Sequence, residues 1–434
     1  MKLPKIDGER LWSAHMAMAQ VGRIEGDGVC RLAASDEDKA GRDLFARWCE
    51  EAGLSIRVDG IGNMFARRPG RDDALPPVLI GSHLDSQPTG GRFDGAFGVL
   101  SGLEIVRTLN DAGIETEAPI EIVNWTNEEG CRFQPSSLGA EVAAGHIAIE
   151  EGLAAKDENG ITLGAELDRI GYRGNAGIAL NARAYLEGHI EQGPILEENG
   201  EDVGIVQGSM GVNAYSVTLM GVEAHTGTTP VTRRKDALYA AARCITEVRA
   251  LAEEFEPDGR ATVARLLVEP NARSVVASKV VFTTDCRHRS PASLDEMSRR
   301  LRQIVDRVSA ECGLGYTMTP YWTVPPRNFD ADCVGALEAA ASAMGLRHRR
   351  MVSGAGHDAI PVSAVVPTAM IFVPSKGGVS HHVSEYTAPE HLEAGCNVLF
   401  QAAVRLAVIA DTDGGGPELS GNAGGFRKTA GPVD

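Results

Sequence analysis

Four short apolar runs, each followed by residues of a metal-binding type, constrain the fold of this 434-residue chain most. The runs and the residues after them are Val78–Ile80 with His83 and Asp94, Ile120–Trp125 with Glu128 and Glu129, Ala184–Leu186 with His189, and Ala369–Val373 with His381. Helical stretches separate the runs, and this alternation predicts an α/β fold, a central mixed sheet flanked by helices. Loops beyond the carboxyl ends of such strands converge, so we expect these six side chains to meet there.

The middle of the chain has a different pattern. Tyr215, Val217 and Leu219 alternate with polar residues, as in a sheet with one solvated face. An amphipathic helix and a second alternating strand, Ser278 to Arg287, follow. The predicted organisation is an α/β domain in two parts, 1–210 and 326–412, an inserted α+β domain at 211–325, and a flexible glycine-rich tail at 413–434. Residues 1–75 are predicted to be helical.

Composition excludes several classes of protein. Lys and Arg number 42 against 59 Asp and Glu, a net charge of −17, which argues against nucleic acid or an anionic membrane as the main partner. The eight cysteines form no CxxC pair, which is typical of a reducing compartment. The chain has neither the apolar core of a signal peptide nor an apolar run of about 18 residues. We therefore expect a cytoplasmic protein that is not bound to a membrane.

The residues after the four runs share one chemistry. Imidazoles and carboxylates without thiolates suit Zn²⁺, Mn²⁺, Co²⁺ or Ni²⁺ at a catalytic site. One aspartate can bridge two such ions about 3.5–4 Å apart, because a carboxylate has two oxygens. A single histidine, or the pair Glu128-Glu129, is more often a solvated surface group. Their joint occurrence after four strands favours a metal site.

Six motifs in a fixed order resemble those of one family. The motifs are "GSHLDSQPTGGRFDG", "NEEGCRF", "GHIEQGPILE", "AHTGTTP…RKDA", "SGAGHDA" and "GVSHHVSE", spread from about Gly81 to Glu385. They are similar to the N-carbamoyl-L-amino-acid hydrolase/allantoate amidohydrolase family, part of the two-metal superfamily of aminoacylases and exopeptidases. The resemblance implies that the interrupted domain is catalytic and that the insertion is a ferredoxin-like lid and dimerisation domain.

The resemblance also implies a role for each predicted metal-site residue. Two divalent ions per subunit are implied, held by His83 and His189, by Glu129 and His381, and by Asp94 between them. Glu128 is implied as the general base that takes a proton from the attacking water and passes it to the leaving nitrogen. Asp85, two residues after His83, is implied to orient that imidazole.

The implied substrate contacts lie in other motifs. His225 is implied to stabilise the oxyanion in the active site of the partner subunit of a homodimer, although a turn histidine bonded to local backbone is the simpler interpretation. Arg287 is implied to bind the substrate carboxylate, or else to form a surface pair with Asp285. Gln192 and His357 are implied as further contacts. Ser274 stands where the family commonly has an asparagine that holds the carboxylate, which leaves carboxylate recognition open.

The function implied is hydrolysis of the carbamoyl C–N bond of an N-carbamoyl-L-amino acid, a small ureido carboxylate, to amino acid, CO₂ and ammonia. Allantoate or ureidoglycolate and then β-ureidopropionate are alternative substrates with the same metal chemistry. A dipeptidase or aminoacylase is disfavoured by "GHIEQGP" and "AHTGTTP". A non-catalytic, metal-stabilised binding protein is disfavoured because Glu128 is present.

Overall fold

The structure is a computed structural model that describes residues 3–177 and 180–408. The tail predicted at 413–434 lies outside the described residues. Within the described part, no helix is long and apolar enough to cross a membrane. None of the eight cysteines is in a disulfide.

The chain forms two compact units. The first contains the described residues up to Gly208 and those from Asn328 onward, and the second contains Ser209–Arg327. The sequence pattern predicted the two boundaries at 210/211 and 325/326. The second unit is therefore an insertion in the first.

The first part of the chain supplies six strands and seven helices to the described structure. Its strands are β1 (Ser55–Val58), β2 (Met64–Arg68), β3 (Val78–His83), β4 (Ile120–Trp125), β5 (Ala184–Ile190) and β6 (Val203–Ser209). Its helices are α1 (Gly8–Met18), α2 (Asp36–Glu51), α3 (Ala96–Asp111), α4 (Leu138–Ala143), α5 (Ile149–Leu153), α6 (Leu163–Ile170) and α7 (Ile195–Asn199).

The second unit has the ferredoxin-like arrangement. Its elements are β7 (Gly211–Met220), β8 (Ala224–His225), α8 (Ala237–Glu254), β9 (Arg260–Glu269), β10 (Val275–Val276), β11 (Lys279–His288), α9 (Pro291–Cys312) and β12 (Gly315–Val324). The main sheet has the order β12-β7-β11-β9 with antiparallel neighbours, and β8 pairs with β10. Alternate residues of β11 are buried, because only one face of this sheet packs on a core.

The rest of the chain returns to the first unit. Its elements are β13 (Arg327–Asn328), α10 (Ala331–Ala343), β14 (His348–Ser353), α11 (Ala359–Val362), β15 (Thr368–Val373) and α12 (Pro389–Val408). The large sheet has the order β1-β2-β4-β3-β5-β15-β6-β13, and β14 pairs with β6. The predicted α/β fold class is confirmed.

The four central strands set the position of the predicted site. β4, β3, β5 and β15 are neighbours and run parallel, so their carboxyl ends lie at one edge of the sheet. Every residue of these four strands is buried, as expected for parallel strands covered on both faces. The loops that carry the predicted metal ligands begin at this edge.

Two local predictions are wrong. Residues 1–75 are not wholly helical, because β1 and β2 form an antiparallel hairpin whose turn contains Asp59 and Gly62. Because β1 and β2 have only four and five residues, their alternation of apolar and polar residues is too short to stand out from the helical pattern around them. The strand predicted at Ala184–Leu186 continues to Ile190, which places His189 inside β5 rather than after it.

Candidate metal centre

His83 and His189 lie side by side at the edge where the parallel strands end. His83 is the last residue of β3, His189 lies near the end of β5, and their ring centroids are 6.0 Å apart. Each Nδ1 is 2.9 Å from a backbone carbonyl oxygen, of Asp85 for His83 and of Ile190 for His189. A hydrogen bond there places the proton of the neutral ring on Nδ1 and leaves Nε2 as a ligand.

Asp94 completes a first group with these two histidines. Its Oδ1 is 3.1 Å from His189 Nε2 and 3.6 Å from His83 Nε2. One ligand atom from each of the three residues lies within 4.8 Å of the other two, and all three residues are buried. This spacing is suited to one cation.

A second group shares the same aspartate. Asp94 Oδ2 is 3.3 Å from His381 Nε2, and Glu129 Oε2 is 3.6 Å from the same nitrogen. These ligand atoms also lie within 4.8 Å of one another. Asp94 therefore offers one oxygen to each group, which is the arrangement that a bridging carboxylate requires.

The residues present fit divalent cations. His83 Nε2 is buried and has no hydrogen-bond partner, although it faces carboxylate oxygens of Asp94 and Glu128 at 3.6 and 3.5 Å. Burial, and after it the charge of Asp94, raises the pKa of Glu129 to about 8. A cation at these positions would satisfy the imidazole and offset the carboxylates.

Glu128 lies beside the first group without belonging to it. Its side chain is largely buried, and the Ser137 hydroxyl donates to its Oε1 at 3.4 Å. Desolvation raises the pKa of Glu128 well above the ordinary value, and the charges of Asp358 and Glu129 raise it further. A buried carboxyl group with a raised pKa is suited to accepting and returning a proton.

Asp85 acts on its neighbours in two ways. Its backbone carbonyl, rather than its carboxylate, is bonded to His83, since Asp85 Oδ1 is 3.8 Å from Nδ1. The carboxylate accepts the backbone N–H groups of Glu128 at 3.2 Å and Glu129 at 3.3 Å. Asp85 therefore fixes the loop that carries the two glutamates.

Gln192 and His357, both expected to contact substrate, also lie at this edge. Gln192 Nε2 donates to Asp94 Oδ2 at 2.9 Å and is 3.3 Å from His381 Nε2. The His357 ring centroid is 4.5 Å from that of His189, and its Nε2 is buried without a hydrogen-bond partner. Nine of the twelve predicted site residues thus lie together in the first unit.

Three loops at the site have strained backbone. Asn127, Gln192 and His381 have φ angles of 58°, 59° and 55°, in the left-handed region that residues with a Cβ atom rarely adopt. Such conformations persist where surrounding contacts enforce them, and they cluster at functional sites. Each of these residues is, or is adjacent to, a predicted site residue.

Glu385 is a site residue whose role the sequence pattern did not indicate. It accepts the backbone N–H groups of Phe93 and Asp94, both at 3.1 Å, and its Oε2 is 3.1 Å from the Ser380 hydroxyl. A Cβ atom on Gly91 would lie 2.0 Å from Glu385 Oε1. Glu385 is the last residue of the motif "GVSHHVSE", which could have drawn attention to it. Its partners lie 291 and 292 residues away in the sequence, so only the fold reveals its role.

The other three predicted residues lie in the second unit. His225 is exposed, and its Nδ1 accepts the backbone N–H groups of Gly227 and Thr228. Ser274 lies beside this turn, because its carbonyl accepts from Thr226 N at 3.1 Å. Arg287 donates through Nε and Nη2 to Asp285 Oδ2, at 3.1 and 2.9 Å, so the expected surface pair is present.

A two-part α/β sheet that carries two cation-binding groups around one aspartate defines a metal-dependent hydrolase. The model of one family, described as peptidase family M20/M25/M40, matches residues 79–405, and the chain belongs to this family. The resemblance to carbamoyl-amino-acid and allantoate amidohydrolases is confirmed by the proteins that the chain matches.

Two curated relatives and one solved structure illustrate the similarity. An N-carbamoyl-L-amino-acid amidohydrolase from Rhizobium meliloti is 44% identical over 94% of this chain and 98% of its own length. An allantoate amidohydrolase from Bacillus subtilis is 32% identical over 90% of this chain and 95% of its own. A hydantoinase/carbamoylase family amidase from Burkholderia multivorans superposes with a TM-score of 0.91 at 49% identity, covering 93% of this chain and 98% of that one.

Proposed function

We propose that this protein hydrolyses the carbamoyl C–N bond of an N-carbamoyl-L-amino acid to amino acid, CO₂ and ammonia. The observation that carries the proposal is the shared aspartate, Asp94, with one oxygen toward each of two cation-binding groups and Glu128 buried beside them. The rhizobial carbamoyl-amino-acid enzyme is more similar to this chain than the Bacillus allantoate enzyme, which supports the choice of substrate.

Two divalent ions are proposed, drawn from Zn²⁺, Mn²⁺, Co²⁺ and Ni²⁺. His83 and His189 would hold one, Glu129 and His381 the other, and Asp94 both. When bound, such ions polarise a carbonyl group and lower the pKa of water to about 7. Donors of this chemistry accommodate all four metals, so the choice of metal is left to experiment.

Glu128 is proposed as the general base and acid. Its burial and its raised pKa support proton transfer near neutral pH, since it can accept the proton of water and return it to the leaving nitrogen. Glu129, the adjacent residue, is free to bind metal because consecutive side chains point in different directions. The Asp85 carboxylate accepts the backbone N–H groups of both glutamates and so holds the two residues in place for these separate roles.

His225 is proposed to act in the active site of the partner subunit of a homodimer. Because Nδ1 accepts two backbone N–H groups, the neutral ring carries its proton on Nε2. That N–H group is then a fixed donor for the developing oxyanion. Exposed Leu266 and Leu267 on the edge strand β9 support a second copy as the partner of this unit.

Arg287 is proposed to bind the substrate carboxylate, with Ser274, Gln192 and His357 as further contacts. Asp285 holds the guanidinium through Nε and Nη2. The planar group binds carboxylates in a fixed geometry. Serine at 274 has a single donor, so we expect recognition to depend mainly on Arg287.

A cytoplasmic location is proposed from the absence of disulfides among the cysteines.

Ammonia release tests the proposal. N-carbamoyl-L-amino acids, allantoate, ureidoglycolate and β-ureidopropionate are compared, with Mn²⁺, Co²⁺, Ni²⁺ and Zn²⁺ supplied separately. We expect the highest kcat/KM with an N-carbamoyl-L-amino acid. A higher value with another ureido compound would assign that alternative substrate, and no release from any of them would reject the proposed function.

The substitution Glu128→Gln tests the role of the base. We expect kcat to fall by about 10²–10⁴-fold with metal content unchanged. Glu121→Gln is the matched control, because Glu121 is buried on β4, the strand that precedes the loop of Glu128, but pairs with Arg57 and Arg67 at 3.0 and 2.8 Å. Equal rates for Glu128→Gln and the control would exclude the base.

Mixed dimers test the proposed action of His225 across subunits. His225→Ala and Glu128→Gln proteins are each expected to be nearly inactive. After subunit exchange, a mixed dimer contains one intact site, so activity should return. Exchange verified by mass spectrometry without any recovery would place His225 outside the partner's site.

A further inference from the structure

A buried polar network lies one layer behind the metal-site histidines. Glu187 on β5 accepts the Ser82 hydroxyl at 2.8 Å, the Tyr185 hydroxyl at 3.0 Å and the Ala359 backbone N–H at 2.8 Å. Trp125 Nε1 donates to the Tyr185 hydroxyl oxygen at 3.0 Å. The Ser82, Trp125, Tyr185 and Glu187 residues are each 0% exposed. A buried polar network is stable only when its donors and acceptors have hydrogen-bond partners, because burying an unpaired polar group costs free energy.

Each member of this network is close in sequence to a site residue. Ser82 directly precedes His83 at the end of β3, and Glu187 is two residues before His189 on the same face of β5. Ala359 is two residues after His357 and begins α11. One carboxylate therefore joins three segments that each carry a site histidine.

Glu187 could itself be taken for a metal ligand, because its carboxylate, His189 and His357 have donor atoms within 4.8 Å of one another. Its contacts favour another role. Both oxygens already accept hydrogen bonds, one from Ser82 and one from Tyr185 and Ala359. His189 Nε2 lies 3.1 Å from Asp94, in the first cation-binding group.

We propose that Glu187 is a positioning residue, which holds His189 and the loop of His357 in the arrangement that binds metal and substrate. By fixing Ala359 N against β5, it keeps the His357 ring 4.5 Å from that of His189. By accepting the Ser82 hydroxyl it holds the end of β3 directly before His83. This inference rests on the proposed metal centre, but not on the identity of the substrate.

Two substitutions separate positioning from ligation. Gln in place of Glu187 keeps an oxygen for Tyr185 and Ala359, and its amide N–H can donate to the Ser82 hydroxyl, which also accepts. The amide thus preserves the network and removes the charge. Glu187→Leu keeps the approximate volume but removes the acceptor of Ser82 and of Ala359 N, and leaves the Tyr185 hydroxyl only the Gly81 carbonyl at 3.2 Å.

The measurement is metal affinity, by competition with a chelator, together with metal content. For Glu187→Leu we expect a loss of affinity of about 10-fold or more, as for other groups that support metal ligands. Glu187→Gln is expected to restore affinity to within about threefold of the unsubstituted protein. Equal losses for the two variants would overturn positioning in favour of ligation, and wild-type affinity in Glu187→Leu would exclude any role.

Glu104→Leu is the matched control for a buried carboxylate. Glu104 is 1% exposed and accepts from Asp7 N and Arg10, which joins α3 to α1, and from Thr108 on its own helix. We expect it to lose stability while keeping metal affinity. A loss of affinity equal to that of Glu187→Leu would show a general effect of destabilisation and overturn the proposal.

A further variant keeps the test decisive if Glu187→Leu does not fold. Tyr185→Phe removes one hydroxyl from the network and retains the ring, and we expect at least a threefold loss of metal affinity. Wild-type affinity in that variant would contradict the network's role. Metal affinity is measured without substrate. Failure of ammonia release would therefore reject the proposed reaction without affecting the test of Glu187.

Discussion

At the scale of single residues, the absence of a side chain at position 95 allows His83 to occupy the site. Gly95 has a φ of 64°, and a Cβ atom there would lie 2.4 Å from the His83 ring. Gly113 has a similar φ of 60° but nothing within 4 Å of the same position. Substitutions at the two glycines therefore distinguish two effects. Backbone strain is common to both positions, whereas contact with the His83 ring occurs only at position 95.

We predict that Gly95→Ala loses most bound metal and most activity, because the new methyl group displaces the imidazole. Gly113→Ala should cost about 1–2 kcal/mol of stability through backbone strain alone, with full metal content. Metal analysis and denaturant unfolding measure the two effects. Full metal content in Gly95→Ala would show that His83 does not depend on this space.

His15 is a buried histidine with a predicted effect on acid stability. It is 0% exposed, neither ring nitrogen has a hydrogen-bond partner, and it packs on Phe93 and Phe97. Burial lowers its pKa to about 3. Between the ordinary pKa of about 6.5 and this value, the unfolded chain binds a proton that the folded protein does not.

The free energy of unfolding should therefore fall with decreasing pH by up to about 1.4 kcal/mol per unit from this residue, or about 1.7 kcal/mol between pH 6.5 and 5, since the unfolded histidine is only half protonated at pH 6.5. His15→Leu removes the ionisable group, so its loss of stability over that range should be smaller by this amount. Urea unfolding at several pH values measures the difference. Parallel curves for the two proteins would contradict the prediction.

At the scale of elements, apolar runs were sufficient to predict the strands that build the site. β3, β4 and β15 lie where their buried Val, Ile and Leu residues indicate, because parallel strands covered on both faces leave a continuous apolar signal. The hairpin of β1 and β2 was missed because its strands are short and partly polar. The roles of Glu187 and Glu385 could not be predicted, since both depend on partners from distant segments.

Helix α2 contains a buried ion pair that the sequence did not indicate, and the arginine of this pair joins the helix to neighbouring segments. Arg42 Nε donates to Asp38 Oδ2 at 2.9 Å, and their side chains are 1% and 0% exposed. Arg42 also donates to Gly62 O at 2.7 Å and to the Thr126 hydroxyl at 3.3 Å. It thus joins α2 to the hairpin turn and to the loop that precedes Glu128.

We predict that Arg42→Met lowers the free energy of unfolding by about 3–5 kcal/mol, because Asp38 keeps a buried charge without its partner. The double variant Asp38→Asn/Arg42→Met should lose less. Arg249→Met is the control, since Arg249 and Glu253 form a pair of the same spacing with 75% and 56% exposure, where about 0–1 kcal/mol is expected. Similar losses for the two single variants would contradict the assignment.

At the scale of the whole molecule, each unit has a hydrophobic core of its own. The largest buried cluster draws its residues from the first unit, while Val217, Cys244, Phe282 and their neighbours form that of the second. The sequence predicted the insertion because its alternating strands differ from the buried runs around it. The proposed roles of His225, Ser274 and Arg287 rest on the family resemblance, since these residues belong to the second unit and both cation-binding groups belong to the first.

The chain enters and leaves the second unit at adjacent points. Phe329 N donates to Gln207 O at 2.9 Å, and β13 is next to β6 in the large sheet. A short turn that joins Gly208 to Asn328 can therefore replace the insertion. The remaining first unit keeps its core and both cation-binding groups.

We predict that this shortened chain folds and binds metal with the stoichiometry of the full protein, because all the proposed ligands belong to the first unit. It should lose at least about 100-fold in kcat/KM for ureido substrates, since the proposed oxyanion donor and carboxylate contact are removed. Circular dichroism, metal analysis and ammonia release measure these properties. A folded chain without metal would show that the centre needs the second unit. Full hydrolysis by the shortened chain would remove His225 and Arg287 from the reaction.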